Sequence, residues 1–157
     1  MSRPTIVILG PAEAGKSTLI RLLGDGAVNL EHRGRTVGMD HAMFRDGDRE
    51  AMLLGVPGQE RFSAVREILT GMSRAAVWVR PPSGEADPLT AELLASIARP
   101  LPYLVFVNQR DGGRGPGDLA PAPAPVDPPR DVVVGNLLGD PSARERLRNA
   151  MWRLVAS

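Results

Sequence analysis

A stretch of glycines, one lysine and two hydroxyl residues near the N-terminus has the spacing of a phosphate-binding loop. Gly10 to Thr18 reads Gly-Pro-Ala-Glu-Ala-Gly-Lys-Ser-Thr and fits the P-loop pattern G-x-x-x-x-G-K-[ST]. In this pattern the loop N–H groups surround an anion, the lysine reaches the terminal phosphates and the first hydroxyl binds Mg²⁺. The residues expected to contact phosphate here are Gly10, Glu13, Ala14, Gly15, Lys16, Ser17 and Thr18. The alternative is a glycine turn that only caps a helix.

The segments on either side of this loop are of the kind that the motif requires. Thr5-Ile6-Val7-Ile8-Leu9 is a continuous apolar run that predicts a buried parallel strand. A helix is predicted from about Lys16 to Leu23, with Gly24 as its C-terminal stop. A strand, a glycine loop and a helix N-terminus in this order form an anion-binding site.

Composition limits the class of protein. The chain has 157 residues, 43% of them apolar, and a net charge of +1, which fits one globular domain and does not suggest a nucleic-acid-binding surface. Because it has no cysteine, disulfides and thiol catalysis are excluded. No signal peptide and no apolar run of the ~20 residues needed to span a membrane is visible. We expect a cytoplasmic protein with no direct membrane anchor, recruited to membranes only by partners.

Apolar runs and amphipathic segments alternate along the chain. Strands are predicted at 4–9, 37–45, 49–54, 75–79, 103–107 and 132–134, and helices at 16–23, 60–72, 88–99 and from about residue 140. Asp46-Gly47-Asp48 predicts an antiparallel hairpin, residues 25–35 a polar loop, and the Pro- and Gly-rich residues 112–129 an irregular segment. Trp78 and Trp152 are expected in the core.

This alternation predicts an α/β fold of the P-loop NTPase type, with one domain over residues 1–157. Its doubly wound sheet is expected to be mostly parallel and six-stranded, with one antiparallel edge strand. The P-loop would lie at the carboxyl end of the first strand, where such folds bind ligands.

Two further stretches are placed to meet the phosphates. Thr36, at the end of the predicted loop, can give its hydroxyl to Mg²⁺ and its N–H to a γ-phosphate. In Gly55-Val56-Pro57-Gly58-Gln59-Glu60, Gly58 can contact the same phosphate and Gln59 can orient an attacking water. The alternatives are a loop threonine that begins a strand, and a Pro-Gly turn before an exposed helix.

A third stretch, Asn108-Gln109-Arg110-Asp111, follows a predicted buried strand. The Asp111 carboxylate can accept hydrogen bonds from both N1–H and the N2 amino group of guanine, an arrangement that adenine does not offer. Asn108 can tie this segment to the P-loop. The alternative is an ordinary polar turn.

Together, Gly10–Ser17, Thr36, Gly55–Gln59 and Asn108–Asp111 resemble the motifs of the Ras-like small GTPases, over nearly the whole chain. Thr36-Val37-Gly38-Met39-Asp40 and Gly58-Gln59-Glu60-Arg61-Phe62 look like their two switch segments. Within that superfamily the chain most resembles the bacterial MglA-like polarity GTPases and the GTPases encoded in actinobacterial conservons.

The resemblance implies GTP or GDP and Mg²⁺ as ligands. Ser17 and Thr36 would hold the metal, Asn108, Gln109 and Asp111 would bind guanine, and Gln59 would be the catalytic residue. The implied partner is a Roadblock/LC7-type regulatory protein. The last guanine-contacting loop would lie near residues 135–136, and 112–129 would replace the fourth helix.

Three positions depart from the family pattern. Gly55 stands where an aspartate usually holds a Mg²⁺-bound water, although the MglA-like group lacks this aspartate too. Gln109 replaces the lysine of the guanine motif, and Ala12 can crowd an arginine inserted by a partner. Arg33 or Arg35 could act as an arginine finger in cis, against the simpler interpretation of a solvated loop.

These observations predict a GTP-binding molecular switch with slow hydrolysis, acting in signalling or polarity control. One alternative is a guanine-nucleotide-binding scaffold that has lost hydrolysis. The other is a P-loop kinase for a small metabolite, which Thr36 and Asn108–Asp111 fit poorly.

Overall fold

The structure is a computed structural model. It describes residues 3–11, 14–32, 35–56, 71, 73–81, 88–95, 101–109 and 127–156, with the backbone alone at 27–32, 35–40 and 89.

Seven strands form one sheet in these parts of the chain. They are β1 (Thr5–Leu9), β2 (Asp25–His32), β3 (Arg35–Asp46), β4 (Arg49–Gly55), β5 (Ser73–Arg80), β6 (Tyr103–Asn108) and β7 (Val132–Gly135). Their order in the sheet is β2-β3-β4-β1-β5-β6-β7. β1 pairs in parallel with β4 and β5, and β6 in parallel with β5 and β7, whereas β3 runs antiparallel to both of its neighbours. The predicted mostly parallel α/β sheet with an antiparallel edge is confirmed.

The described helices are α1 (Lys16–Leu23), α2 (Pro88–Ala95) and α3 (Pro141–Ala156). α1 begins where the sequence predicts, and α3 begins with a proline, which suits the first turn because its missing N–H would have no partner there. None of the described helices is long and apolar enough to span a membrane. The predicted helix 60–72, apart from Gly71, and residues 110–126 of the Pro- and Gly-rich segment lie outside the described residues.

The predicted polar loop at 25–35 is wrong, because residues 25–32 form β2 and raise the strand count from six to seven. β2 pairs antiparallel with β3, from Asp25 opposite Met43 to His32 opposite Arg35. The register shifts between Asp25 and Val28, where Gly26 has φ +68°. This backbone conformation favours glycine, and a glycine at an irregularity of a ladder is typical of a β-bulge. Pairing with β3 therefore overrides the polar, glycine-containing composition of this segment.

The hairpin between β3 and β4 is confirmed. Asp46 pairs with Arg49 across the two-residue turn, in which Gly47 has φ +61°. Its outer end is tied to the C-terminal helix, since the Arg148 guanidinium donates from Nη2 to the Arg45 carbonyl at 2.8 Å. The Phe44 and Trp152 rings stack at 4.5 Å between centroids.

The core has two layers, one on each face of the sheet. α1 and α3 cover one face, and the side chains buried there include Ile6, Leu19, Phe44, Leu147 and Met151. α2 packs on the other face, over Val7, Trp78 and Val105. Trp78 and Trp152 are both buried, as predicted. Central strands covered on both faces fix the positions of the loops at their carboxyl ends.

Candidate functional site

The phosphate-loop motif packs closely against the next strand of the sheet. Gly10 has φ +145°, and a Cβ placed on it would lie 2.4 Å from the carbonyl oxygen of Val79 in β5. No side chain fits at that distance, so the first glycine of the motif is required by close backbone approach. Sequence reasoning assigned Gly10 to the loop but missed Val79 as its neighbour.

The second motif glycine begins the helix. Gly15 is the N-cap of α1 with φ 106° and ψ 18°, no side-chain cap hydrogen bond is formed, and the first turn has no acidic residue. Its carbonyl accepts from the Leu19 N–H at 3.0 Å. The positive end of the helix dipole therefore points into the loop, and the first turn of α1 has no acidic side chain to neutralise it.

Lys16 extends back over the loop that precedes it. Its Nζ donates to the carbonyl of Gly10 at 2.6 Å and to that of Pro11 at 2.9 Å, and the side chain is half-buried. Both acceptors are backbone carbonyls at the start of the loop, so the Lys16 ammonium lies close to its backbone. The adjacent Ser17 is exposed in the first turn of α1, and Thr18 is half-buried.

Asn108 joins the predicted base-binding stretch to the phosphate loop. It ends β6, is 8% exposed, and donates from Nδ2 to the Ala14 carbonyl at 2.9 Å. The tie that the sequence predicted between Asn108 and the loop is therefore present, across 94 positions of the chain. A buried amide whose donor is satisfied in this way fixes the spacing of the two segments.

The turn after β7 lies beside the end of β6. The Gln109 N–H donates to the Gly135 carbonyl at 2.9 Å. Beyond it, Asn136 Oδ1 accepts from the Leu138 N–H at 3.1 Å, and Asp140 Oδ1 accepts from the Ser142 N–H at 2.9 Å at the start of α3. Gln109 and Gly135, one from each of the two stretches expected to contact the base, thus meet at the carboxyl ends of β6 and β7.

The end of β4 lies beside the end of β1. Gly55 pairs with Ile8, and the Val56 N–H donates to the Ile8 carbonyl at 3.0 Å. The chain therefore leaves β4 next to the phosphate loop. Gly55 is buried and has no side-chain oxygen with which to hold a metal-bound water.

Thr36 is not at the end of a loop, as the sequence predicted, but inside β3, where it is paired with Glu31. The physical reason is that residues 25–32 pair with β3 despite their polar composition, and this pairing extends the strand ladder to Arg35. Arg35, one of the two candidate arginine fingers, pairs with His32 at the end of this ladder.

Several predicted positions lie outside the described residues. They are Ala12, Glu13, Arg33, Gly58, Gln59 and Asp111.

Mg²⁺ prefers oxygen ligands, and P-loop proteins supply a hydroxyl to it. The exposed Ser17 at the start of α1, beside Lys16, fits that requirement. No cluster of three or more histidine, cysteine or acidic residues suited to a metal exists among the described residues.

Arg80 is a buried charged residue that sequence reasoning missed, next in the chain to Val79, whose carbonyl lies against Gly10. It ends β5, is 3% exposed, and its guanidinium lies 5.2 Å from the centroid of the Trp78 ring. The only sequence signal was an arginine that ends the apolar run 75–79. Burial and the negative charge of Asp127 raise the pKa of Tyr103. The positive charge of Arg80 opposes this rise, and the pKa remains raised overall.

No protein-family model matches the sequence. The chain is 32% identical over 111 residues to a protein of Methanocaldococcus jannaschii named "Uncharacterized protein MJ1339", covering 69% of this chain and 71% of that protein. The chain belongs to the MJ1339 family.

Solved structures show which fold this MJ1339-family chain has. The G domain of the T. maritima FeoB iron transporter superimposes with a TM-score of 0.70 at 15% identity, covering 98% of this chain and 99% of that domain. Elongation factor SelB from Methanococcus maripaludis, in complex with the GTP analogue GppNHp, gives 0.69 at 14% identity. A bacterial selenocysteine-specific factor, EF-Sec, gives 0.71 at 16%.

The superposition with SelB covers 100% of this chain but 35% of SelB, and that with EF-Sec covers 99% of this chain but 29% of EF-Sec. The likeness therefore concerns one domain of each factor. The MJ1339-family chain has the G-domain fold of P-loop GTPases.

Proposed function

We propose that this chain is a GTP-binding molecular switch that hydrolyses GTP slowly. The observation that carries the proposal is the buried hydrogen bond from Asn108 to the Ala14 carbonyl. This bond supports the proposal because it joins Asn108, the first residue of the stretch suited to guanine, to the loop suited to phosphate. The G-domain fold, and the GTP analogue named for the SelB structure, support the same nucleotide.

The phosphates would bind in the loop from Gly10 to Thr18. Lys16 would contact the β- and γ-phosphates, and Glu13, Ala14, Gly15 and Ser17 would offer N–H groups. The position of the Lys16 ammonium over the loop and the uncapped start of α1 support this role.

Asp111 would select guanine, because its carboxylate would accept hydrogen bonds from the N1–H and the N2 amino group of the base. Gln109 would pack beside the base. Asp111 comes three positions after Asn108, the anchored end of β6. A short connection from an anchored residue limits how far that carboxylate can lie from the loop.

Mg²⁺, when bound, would neutralise charge on the phosphates. Ser17 would be its first protein ligand. Thr36 would be the second, and we propose that the segment around it then leaves the pairing with Glu31. Exchange of that pairing for contacts with metal and phosphate is the nucleotide-dependent change that we propose for the switch.

Hydrolysis would use Gln59 to orient water and Gly58 to contact the γ-phosphate. The rate is expected to be low because Gly55 has no side chain to hold a metal-bound water and because Ala12 narrows access for an arginine from a partner. Arg33 and Arg35 are the candidates for an arginine supplied in cis.

The partner surface would be formed by residues 30–45 and 56–70. We propose a Roadblock/LC7-type regulatory protein as the partner, in signalling or polarity control in the cytoplasm. Support comes from the sequence resemblance of the two switch segments to MglA-like and conservon GTPases.

A scaffold that binds guanine nucleotide without hydrolysing it is the second candidate. Two observations favour it: Gly55 lacks a side-chain oxygen, and Thr36 lies in a strand ladder. Phosphate release under multiple turnover, with and without a candidate regulator, separates the two functions. Release that disappears in Gln59→Ala supports the switch, and no release from wild type under either condition supports the scaffold.

A further inference from the structure

The outer edge of the sheet at β7 has an unusual set of available backbone groups. β7 is the last strand in the order, and the carbonyls of Asp131, just before it, and of Gly135 accept from the N–H groups of Val105 and Gln109. Because the backbone groups of successive residues alternate in direction, the N–H and C=O of Val133 also face β6. The N–H and C=O groups of Val132 and Val134, four in all, face away from β6.

Two of these four outward groups are occupied by side chains of the chain itself. The Val132 N–H donates to Asp131 Oδ1 at 2.8 Å, and the Val134 carbonyl accepts from Arg146 Nη2 at 2.9 Å. Within the described residues, the Val132 carbonyl and the Val134 N–H have no such partner. The edge therefore offers one acceptor and, two residues later, one donor.

This pair of groups selects the direction of an added strand. In an antiparallel ladder one residue exchanges both of its hydrogen bonds with a single opposite residue. In a parallel ladder one residue bonds to the carbonyl and the N–H of two positions that flank its opposite. Val132 and Val134 flank Val133, so the available groups fit one residue of a parallel strand lying opposite Val133.

The side chain of that residue would point into a charged groove. Residues opposite one another in a parallel ladder direct their side chains to the same face, and Val133 faces the core layer that contains α3. The open groove there has a volume of about 260 Å³ and is lined by Asp131 to Val134, Arg146, Asn149 and Arg153.

The groove is suited to a carboxylate. Arg146 donates to two neutral acceptors, Ser142 Oγ and the Val134 carbonyl, while Arg153 is bonded to Asp131 Oδ2 at 3.2 Å. Two guanidinium groups against one aspartate leave an excess positive charge, and arginine is the preferred partner of carboxylates in recognition sites.

We propose that the β7 edge binds an extended segment of a partner protein as an eighth, parallel strand. An acidic residue of that segment lies opposite Val133 and pairs with Arg146. Strand addition supplies affinity through the backbone and specificity through the alternate side chain.

Blocked heptapeptides Thr-Val-Thr-X-Thr-Val-Thr, with Glu, Gln or Lys at X, test this on the full chain by ¹⁵N NMR titration. The Glu peptide is expected to shift the amides of 132–135 and to bind about tenfold more tightly than the Gln peptide, with no binding by the Lys peptide. N-methylation at X removes the donor to the Val132 carbonyl and should abolish binding. A nitroxide at the peptide N-terminus should broaden Val132 more than Gly135, because the strand is parallel.

Arg146→Glu should abolish binding of the Glu peptide, whereas the same charge change at the exposed Arg74, at the start of β5, should not alter it. Three results would overturn the proposal. They are no binding by the Glu peptide at millimolar concentration, shifts confined to another edge of the sheet, or a nitroxide effect in the reverse order. A β7-mediated dimer of the free chain that Arg146→Glu dissociates would also contradict it.

Discussion

Gly10 and Gly26 both have positive φ, +145° and +68°, but they lie in two different kinds of environment. A Cβ on Gly10 would meet the Val79 carbonyl at 2.4 Å, whereas a Cβ on Gly26 would meet nothing within 4 Å. The first belongs to the phosphate loop, which is packed against β5 and tied to Asn108. The second belongs to β2 at the sheet edge, where the register shifts twice.

The difference indicates how nucleotide binding and switching would be divided under the proposed function. The described ends of the phosphate loop contact distant parts of the chain, Gly10 against Val79 and Ala14 through the hydrogen bond from Asn108. The segment with Thr36 is held in an edge ladder, which can be exchanged at lower cost. Three experiments test this division, from the largest expected effect to the smallest, and a fourth tests Tyr103 in β6.

Lys16→Ala should weaken GTP binding by roughly 100-fold, about 3 kcal/mol, because it removes a charge-assisted contact to phosphate. Titration with a fluorescent GTP analogue measures the Kd. Arg21→Ala, which removes an exposed cation from the same helix, should leave the Kd unchanged. Similar Kd values for the Lys16 variant and wild type would show that the loop does not bind phosphate.

Gly10→Ala should lower the free energy of unfolding by about 3 kcal/mol, since it combines a positive φ with a clash against backbone. Gly26→Ala should cost only about 1 kcal/mol, because it has the φ penalty alone. Urea denaturation of the two variants compares the same substitution in the two regions. Equal losses would remove the distinction between a packed loop and an open edge.

Asn108→Ala should weaken GTP binding by roughly tenfold and lower stability by about 1–2 kcal/mol, because the Ala14 carbonyl loses its buried donor. Asn149→Ala, an exposed amide on α3, is the matched control and should change neither quantity. Calorimetric binding and thermal unfolding measure the two effects. A variant that loses stability but keeps full affinity would limit Asn108 to a role in folding.

Tyr103→Phe should have the smallest effect: it removes the hydrogen bond from the Tyr103 hydroxyl to the Asp127 carbonyl at every pH, and a pH-dependent difference from wild type should appear only in alkaline solution. Burial, together with the negative charge of Asp127, raises the pKa of Tyr103 above 10.0. The folded state therefore favours the neutral phenol, and this stabilisation is complete below pH 10 and is lost as the pH rises through the raised pKa. Urea midpoints should fall above pH 10 more steeply for wild type than for Tyr103→Phe. Parallel profiles would contradict this assignment.

The local elements were predictable where sequence and contacts agree. The motif glycines, Asp46-Gly47-Asp48 and Pro141 each impose one backbone geometry, so the loop, the hairpin and the start of α3 lie where expected. The strand β2 was not predictable from the sequence. Its apolar residues Val28 and Leu30 alternate with polar residues, but the stretch is too irregular to be recognised as a strand. Its pairing with β3 is a tertiary effect. The positions of Arg80 and Val79 depend on strand register, which no local pattern specifies.

The central claim is selection of guanine nucleotides by a preformed phosphate loop. Its most direct test is competition of GTP and ATP for the purified chain, with Asp111→Ala measured beside wild type. We predict that GTP binds at least about 100-fold more tightly than ATP, and that Asp111→Ala removes most of this preference. Equal affinity of the wild-type chain for GTP and ATP would contradict the account.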